Sequence, residues 1–262
     1  MYIAFFDSGL GGLNPLKRAL ADLPDENYIY YGDTANVPYG TKSPREIQDY
    51  MLRAMDYLAP YDLKALVIAC NTATSVAAPF LRQRFSLPII GMEPAIKPAA
   101  AAAAKAGKRV LLLATILTLK IERIADLRAK VDPDSLVDAV ACSELVDCAE
   151  RLIFDRKTIE DLLRRKLASY DLSQYGWVVL GCTHFNYFQE AIEAVFPPGT
   201  SIVDGNEGTI RRLAEIIHYQ PQPPAGKGRE ILLHLSDSSD QAKALAAADL
   251  IRQVTPVPVR LV

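Results

Sequence analysis

Short, wholly apolar runs recur along the chain. Each is followed by a polar stretch with glycine or hydroxyl side chains, then by a segment with apolar positions every third or fourth residue. The runs at 2–6, 28–31, 65–69, 87–90, 110–114, 177–180, 202–203 and 231–235 predict strands. Apart from His234 in the last, they are apolar throughout instead of alternating, the pattern of a strand buried on both faces. Helical periodicity follows at 13–23, 44–58, 72–85, 96–106, 118–130, 144–154, 158–169, 186–195, 207–218 and 240–254. Strands alternating with helices predict an α/β protein of mainly parallel sheets flanked by helices. Ser43 before Pro44 reads as an N-cap with proline in the first turn, and Ser239 as the cap of the last helix.

Two of the runs end alike. Leu66-Val-Ile-Ala-Cys-Asn-Thr72 and Val178-Val-Leu-Gly-Cys-Thr-His184 both pass from apolar residues to a small residue, a cysteine and a hydroxyl or amide. They lie about one small domain apart. With the loops after Asp7 and at Thr115 to Thr118 they form a weak internal repeat, which predicts two halves, from the Asp7 loop to the Cys70 loop and from the Thr115–Thr118 loop to the Cys182 loop. The Pro/Gly-rich stretch 221–228 reads as a surface loop before a final strand and helix.

Composition narrows the partners. Half of the 262 residues are apolar and the formal net charge is −2, so there is no overall basic field for nucleic acid and no polybasic segment for anionic lipid. The N-terminus lacks the basic segment and long apolar core of a signal peptide. No apolar stretch nears the roughly 18 uncharged residues of a membrane span. Residues 99–104 are all alanine, but Lys97, Lys105, Lys108 and Arg109 frame them as a helix facing water. The four cysteines form neither a disulfide framework nor a CxxC zinc pattern, and reduced thiols fit a cytoplasmic protein.

The chemistry is concentrated at strand ends, where open α/β sheets bind ligands. Asp7-Ser8-Gly9-Leu10-Gly11-Gly12 is a turn whose backbone N–H groups can face a small anion. It matches neither GxGxxG nor the P-loop pattern, so no nucleotide cofactor is expected. Gly32-Asp33-Thr34 and Val37-Pro38-Tyr39-Gly40-Thr41 make a stiff, donor-rich loop suited to a carboxylate. A lone cysteine after a strand is more often an inert core residue than a reactive one. The polar neighbours Asn71, Thr72, Thr183 and His184 shift that balance for Cys70 and Cys182, whereas Cys142 and Cys148 stay in the structural class. Inverting a stereocentre by proton transfer needs a base and an acid, and a thiol–thiolate pair can exchange those roles.

Taken together, Phe6-Asp-Ser-Gly-Leu-Gly-Gly12, Gly32-Asp-Thr34, Pro38-Tyr-Gly40, Ala69-Cys-Asn-Thr-Ala73, Gly181-Cys-Thr-His184 and Asp204-Gly205 resemble the signatures of the glutamate racemase family, in that family's order, from residue 5 to about 213. The resemblance implies a cofactor-independent, metal-free amino-acid racemase with two similar α/β domains, 1–92 plus 209–262 and 93–208, and the active site between them. It also implies a bacterial role in supplying D-glutamate for peptidoglycan. By that match Cys70 takes the α-proton from D-glutamate and Cys182 from L-glutamate. Asp7, Asp33, Glu150 and His184 assist them. Ser8, Pro38, Tyr39, Gly40, Asn71, Thr72, Thr118 and Thr183 hold the amino acid. The expected partners are glutamate and, at most, a second copy of the chain as a homodimer.

Departures from the family pattern stand at Asn14 (usually Thr), at Ile116 and Leu117 (often Pro or Gly) and at Phe185 (commonly Tyr). They bear on substrate preference and rate. The chain starts at its first strand, so activation by a cell-wall precursor, seen in some members, is not expected. The nearest alternative is a relative that racemises aspartate. A non-catalytic amino-acid-binding protein would not need both thiols, and a cysteine hydrolase needs one thiol with a base.

Overall fold

The computed structural model describes residues 1–120, 132, 135–221 and 229–262. They fall into two compact units, one of Met1–Met92 with Asn206–Val262 and one of Glu93–Gly205.

The first unit is built on a six-stranded sheet with the order β10-β9-β2-β1-β3-β4. Its strands are β1 (Tyr2–Asp7), β2 (Tyr28–Gly32), β3 (Leu63–Ile68), β4 (Ile89–Gly91), β9 (Ile231–Leu235) and β10 (Val259–Leu261). Every pairing is parallel. The central strands are almost wholly buried, which is why they read as continuous apolar runs. Its helices are α1 (Leu13–Asp22), α2 (Pro44–Leu58), α3 (Asn71–Arg82), α9 (Asn206–Ile216) and α10 (Gln241–Arg252). Ser43 caps α2 as predicted, in a capping box with Glu46, and Pro44 opens the helix.

The second unit has a four-stranded parallel sheet, order β6-β5-β7-β8. Its strands are β5 (Arg109–Ala114), β6 (Val137–Ala141), β7 (Tyr175–Leu180) and β8 (Ser201–Val203). The described helices are α4 (Ile96–Ala106), α5 (Ile116–Lys120), α6 (Ser143–Glu150), α7 (Arg156–Lys166) and α8 (Gln189–Val195). The alanines of α4 let it pack closely: Ala99, Ala100 and Ala103 share a core with Val110, Leu112 and Val179. Gly107, at φ 61°, ends that helix in the left-handed conformation that glycine adopts at least cost.

The two sheets share one topology. β2-β1-β3-β4 and β6-β5-β7-β8 follow the same order, each with its first strand inside and the next two on either side. Strand order reverses at β1/β3 and at β5/β7, the switch points where open sheets leave a crevice beyond the strand ends.

Several elements differ from the sequence reading. β6 and β10 are additional edge strands: β6 is buried only at Val137 and Val140, with its other three positions partly exposed, and β10 is three residues long and largely exposed. The segment predicted as one helix at 186–195 begins as a 3₁₀ helix, Thr183–Phe188, before α8. The helix predicted over 144–154 stops at Glu150, where Leu152 sits at φ 56° and Ile153 N–H donates to Cys148 O at 2.8 Å. Asp240, not Ser239, caps α10, because the Ser239 hydroxyl donates to Asp237 Oδ1 at 2.6 Å while Asp240 Oδ1 accepts from Lys243 N–H at 2.9 Å. The predicted helix 118–130 beyond residue 120, and the loop 221–228 beyond residue 221, lie outside the described residues. Among the described residues no helix is long and apolar enough to cross a membrane.

Candidate active site

In the first unit, parallel register brings the carboxyl ends of β1, β2 and β3 level. Asp33 N–H donates to Asp7 O at 2.9 Å, and Ala69 N–H to Phe6 O at 2.8 Å. Asp7, fully buried, accepts from Gly9 N–H at 2.9 Å and so folds the turn back over the strand end. That turn needs Gly12, because a Cβ there would lie 2.5 Å from Asp7 Cβ.

Cys70 is the N-cap of α3. Ala73 N–H donates to its sulfur at 3.4 Å, and the thiol donates to Ser8 Oγ at 3.6 Å. A helix N-terminus directed at sulfur favours negative charge on it. Asn71 and Thr72 form the first turn of the same helix and are buried with it.

Asp33 accepts from Asn36, Tyr39 and Ser236. Tyr39 Oη donates to its Oδ2 at 2.5 Å, and Ser236 Oγ to its Oδ1 at 2.9 Å. Burial, the Asp33 charge and hydrogen bond, and the Cys70 charge push the Tyr39 hydroxyl far above the ordinary phenol range, so it stays neutral. Pro38 precedes the 3₁₀ turn Tyr39–Thr41, which contains Gly40, and its carbonyl accepts from Thr41 Oγ1 at 3.1 Å.

In the second unit the equivalent strand ends carry Thr115 and Cys182. Thr115 Oγ1 donates to Thr118 Oγ1 at 2.9 Å, and both threonines are buried. Gly181 lets Cys182 follow the strand closely, since a Cβ at 181 would stand 2.8 Å from Leu113 O. Thr183 and His184 open the 3₁₀ helix behind it and are buried. His184 Nε2 lies 2.7 Å from Glu150 Oε1, and its Nδ1 lies 3.7 Å from Cys182 Sγ. The result is a carboxylate–imidazole–thiol relay.

Burial opposes charge on His184, but its hydrogen bonds to Cys182 and Glu150 outweigh that and hold the imidazole well above its ordinary value of 6.5. Such a group stabilises the fold fully below its unfolded value, and the contribution is lost as pH rises through the folded one. The protein is therefore expected to lose urea resistance between about pH 6.5 and pH 8, below the ordinary thiol and tyrosine ranges. His184→Asn should flatten that loss. Equal slopes for the two proteins would show that His184 is not charged in the folded state.

The structure thus gathers Asp7, Ser8, Asp33, Pro38, Tyr39, Gly40, Cys70, Asn71 and Thr72 at one sheet's carboxyl edge, and Thr118, Glu150, Cys182, Thr183 and His184 at the other's. Cys142 also follows a strand, β6, a setting hidden while that strand went unread. It is fully buried, and burial pushes its thiol up to about 12, so it stays protonated. Burial raises Cys148 as well. Sequence reasoning missed Thr115 and Ser236. Ser236 was findable, because it follows the run 231–235 as Ser8 follows 2–6. Among the described residues no group of three His, Cys, Asp or Glu could hold a metal ion.

A family model described as Asp/Glu/Hydantoin racemase matches residues 11–213. The glutamate racemase of Halothermothrix orenii is 41% identical over 97% of this chain and 100% of its own length. Glutamate racemase 2 of Bacillus subtilis is 46% identical over 87% of this chain and 86% of its own. The crystal structure of Escherichia coli glutamate racemase, in complex with L-glutamate and the activator UDP-MurNAc-Ala, is similar at a TM-score of 0.84 and 30% identity, covering 100% of this chain and 97% of that one. With the family model spanning most of the sequence and relatives aligned along nearly their whole length, the chain belongs to the Asp/Glu/Hydantoin racemase family.

Proposed function

We propose that this protein interconverts L- and D-glutamate without a cofactor, with Cys70 and Cys182 as the proton-transferring pair. The observation that carries the reading is the placement of the two thiols. Each follows the equivalent strand, β3 or β7, of two sheets with the same topology, two residues past the strand's end. The relatives' names supply the substrate.

In the L-to-D direction a thiolate at Cys182 takes the α-hydrogen and becomes a thiol. The electron pair passes into the substrate carboxylate as an enediolate, and the Cys70 thiol returns a proton to the opposite face. The reverse direction exchanges the roles. An α-hydrogen is far less acidic than a thiol, and each pK unit of mismatch adds about 1.4 kcal/mol to the barrier. Water exclusion and fixed donors must supply most of the compensation. Asn71, Thr72, Thr118 and Thr183 are the polar side chains buried beside the thiols that suit that work. The charge on His184 is the partner for a thiolate at Cys182, with Glu150 holding the imidazole from behind. On the other sheet the Ser8 hydroxyl accepts from the Cys70 thiol, and Asp7 is buried at the end of the adjacent strand.

The reading places the protein in the bacterial cytoplasm, supplying D-glutamate for peptidoglycan. Chiral analysis of L-glutamate and L-aspartate incubated with purified protein tests it. Glutamate should reach a racemic mixture, aspartate should turn over far more slowly, and dialysis against a chelator should leave the rate unchanged. Preferential turnover of aspartate would reassign the substrate. A loss of activity restored by pyridoxal phosphate or a divalent metal would remove the cofactor-free mechanism.

A further inference from the structure

Asp33 belongs by resemblance with the groups that assist proton transfer, but its carboxylate is already occupied. Its oxygens accept from Asn36 Nδ2, from Tyr39 Oη at 2.5 Å and from Ser236 Oγ at 2.9 Å, in a buried setting. A carboxylate so engaged would give up charge-assisted hydrogen bonds before it could act as a base.

Ser236 is the far end of this network. It follows β9, whose Leu235 pairs with Gly32 in the parallel register, so the serine emerges beside Asp33. Its backbone N–H donates to Gly32 O at 2.9 Å. Its hydroxyl donates to Asp33 Oδ1 and accepts from Ala35 N–H at 3.0 Å, bridging the carboxylate and the backbone of the turn. Asp237 N–H adds a second tie, to Thr34 Oγ1 at 3.0 Å. The segment after β9 thus clamps the turn that leads into Pro38, Tyr39 and Gly40.

We propose that Ser236 is a positioning residue for the racemisation: through Asp33 it fixes the Tyr39 hydroxyl and the loop bearing it, so that Asp33 acts through Tyr39 instead of on the substrate's α-hydrogen. The inference rests on the glutamate racemase reading above. The orientation has a chemical consequence. With its proton committed to Asp33, the Tyr39 oxygen faces away from the carboxylate only as an acceptor, suited to a donor such as the substrate ammonium. Tyr39 is also close enough for the Cys70 charge to oppose its ionisation, which ties the network to the thiol. Loss of the serine hydroxyl leaves Ala35 N–H without its acceptor and Asp33 with only Asn36 and Tyr39 to hold it, and the loop free to drift from its substrate-binding position.

Kinetics and one spectroscopic signal test this in the full chain. Ser236→Ala should lower kcat/KM for glutamate about tenfold, the size expected for one hydrogen bond to a charged group. The loss should fall mainly on KM, and Ser236→Thr, which keeps the hydroxyl, should restore most of it. In a Tyr39→Phe background the same Ser236→Ala change should cost less than about twofold, because the two act through one path. A serine that only stabilises the fold would lower the melting temperature with KM unchanged, and its effect would add to that of Tyr39→Phe. Either result overturns the proposal.

The spectroscopic arm is independent of activity. The Tyr39 hydroxyl proton resonance, identified by its loss in Tyr39→Phe, should shift in Ser236→Ala and return in Ser236→Thr. An unmoved resonance refutes the coupling even if the enzyme is active. An inactive wild-type protein with a shifting resonance would instead refute the glutamate reading while leaving the Ser236–Asp33–Tyr39 linkage in place.

Discussion

Cys70→Ala and Cys182→Ala are each expected to lower glutamate racemisation by about 10³-fold, within the range that positioned acid–base groups contribute. Both variants should stay folded. Each cysteine lies at a loop–helix junction past a strand end, where alanine leaves little void, and the strand cores do not depend on the sulfur. Both directions should fail in both variants, because each turnover uses one thiol as base and the other as acid. Cys142→Ala and Cys148→Ala should keep most of the activity, since burial raises both thiols and so disfavours a thiolate at either. Circular dichroism of the reaction mixture follows the rate, and the far-ultraviolet spectrum of each variant checks the fold. Substantial racemisation by either Cys70→Ala or Cys182→Ala would remove that thiol from the mechanism.

The second large effect concerns the origin of the proton. In the proposed mechanism two thiols divide the work, so the acid that delivers the new hydrogen is not the base that took the old one. A donor thiol exchanges with solvent before substrate binds, so in heavy water it carries deuterium. Early turnover of L-glutamate in D₂O should therefore yield D-glutamate deuterated at the α-carbon, while recovered L-glutamate stays protiated. A single base serving both faces would return label to the starting enantiomer from the outset. Equal early deuteration of substrate and product, read by mass spectrometry after chiral separation, would exclude the two-thiol assignment even with the racemase activity intact.

The surroundings of the two thiols are not alike. Cys70 meets a helix N-terminus and the Ser8 hydroxyl, whereas Cys182 meets an imidazole backed by a carboxylate. Removing the His184 ring should nonetheless lower kcat/KM for L- and D-glutamate by the same factor, because the equilibrium constant between enantiomers is one and both directions share one transition state. In the proposed mechanism the His184–Glu150 pair and the Ser236–Asp33–Tyr39 network both work behind the reacting thiols, holding charge and geometry.

Much of this was legible in the sequence because it depends on near neighbours. A strand buried on both faces must be apolar throughout, and a ligand site at its end must switch abruptly to glycine, hydroxyl, amide or thiol. That switch at Asp7, Asp33, Cys70 and Cys182 marked most of the site. The alternation of runs and periodic segments likewise determined the α/β class.

What the tertiary structure decided lies beyond the reach of local pattern. β6 and β10 are edge strands, whose partial exposure removes the continuous apolar run, and without β6 the strand-end position of Cys142 could not be seen. Its burial then decides that it is inert. Glu150 stands 34 residues from His184, and Ser236 stands 203 from Asp33. Periodicity constrains residues a few positions apart on one element. Contacts such as these depend on which strands become neighbours and in what register, so the positions of the cysteines follow from the chain itself, and the partners that tune them follow from the packing of the sheets.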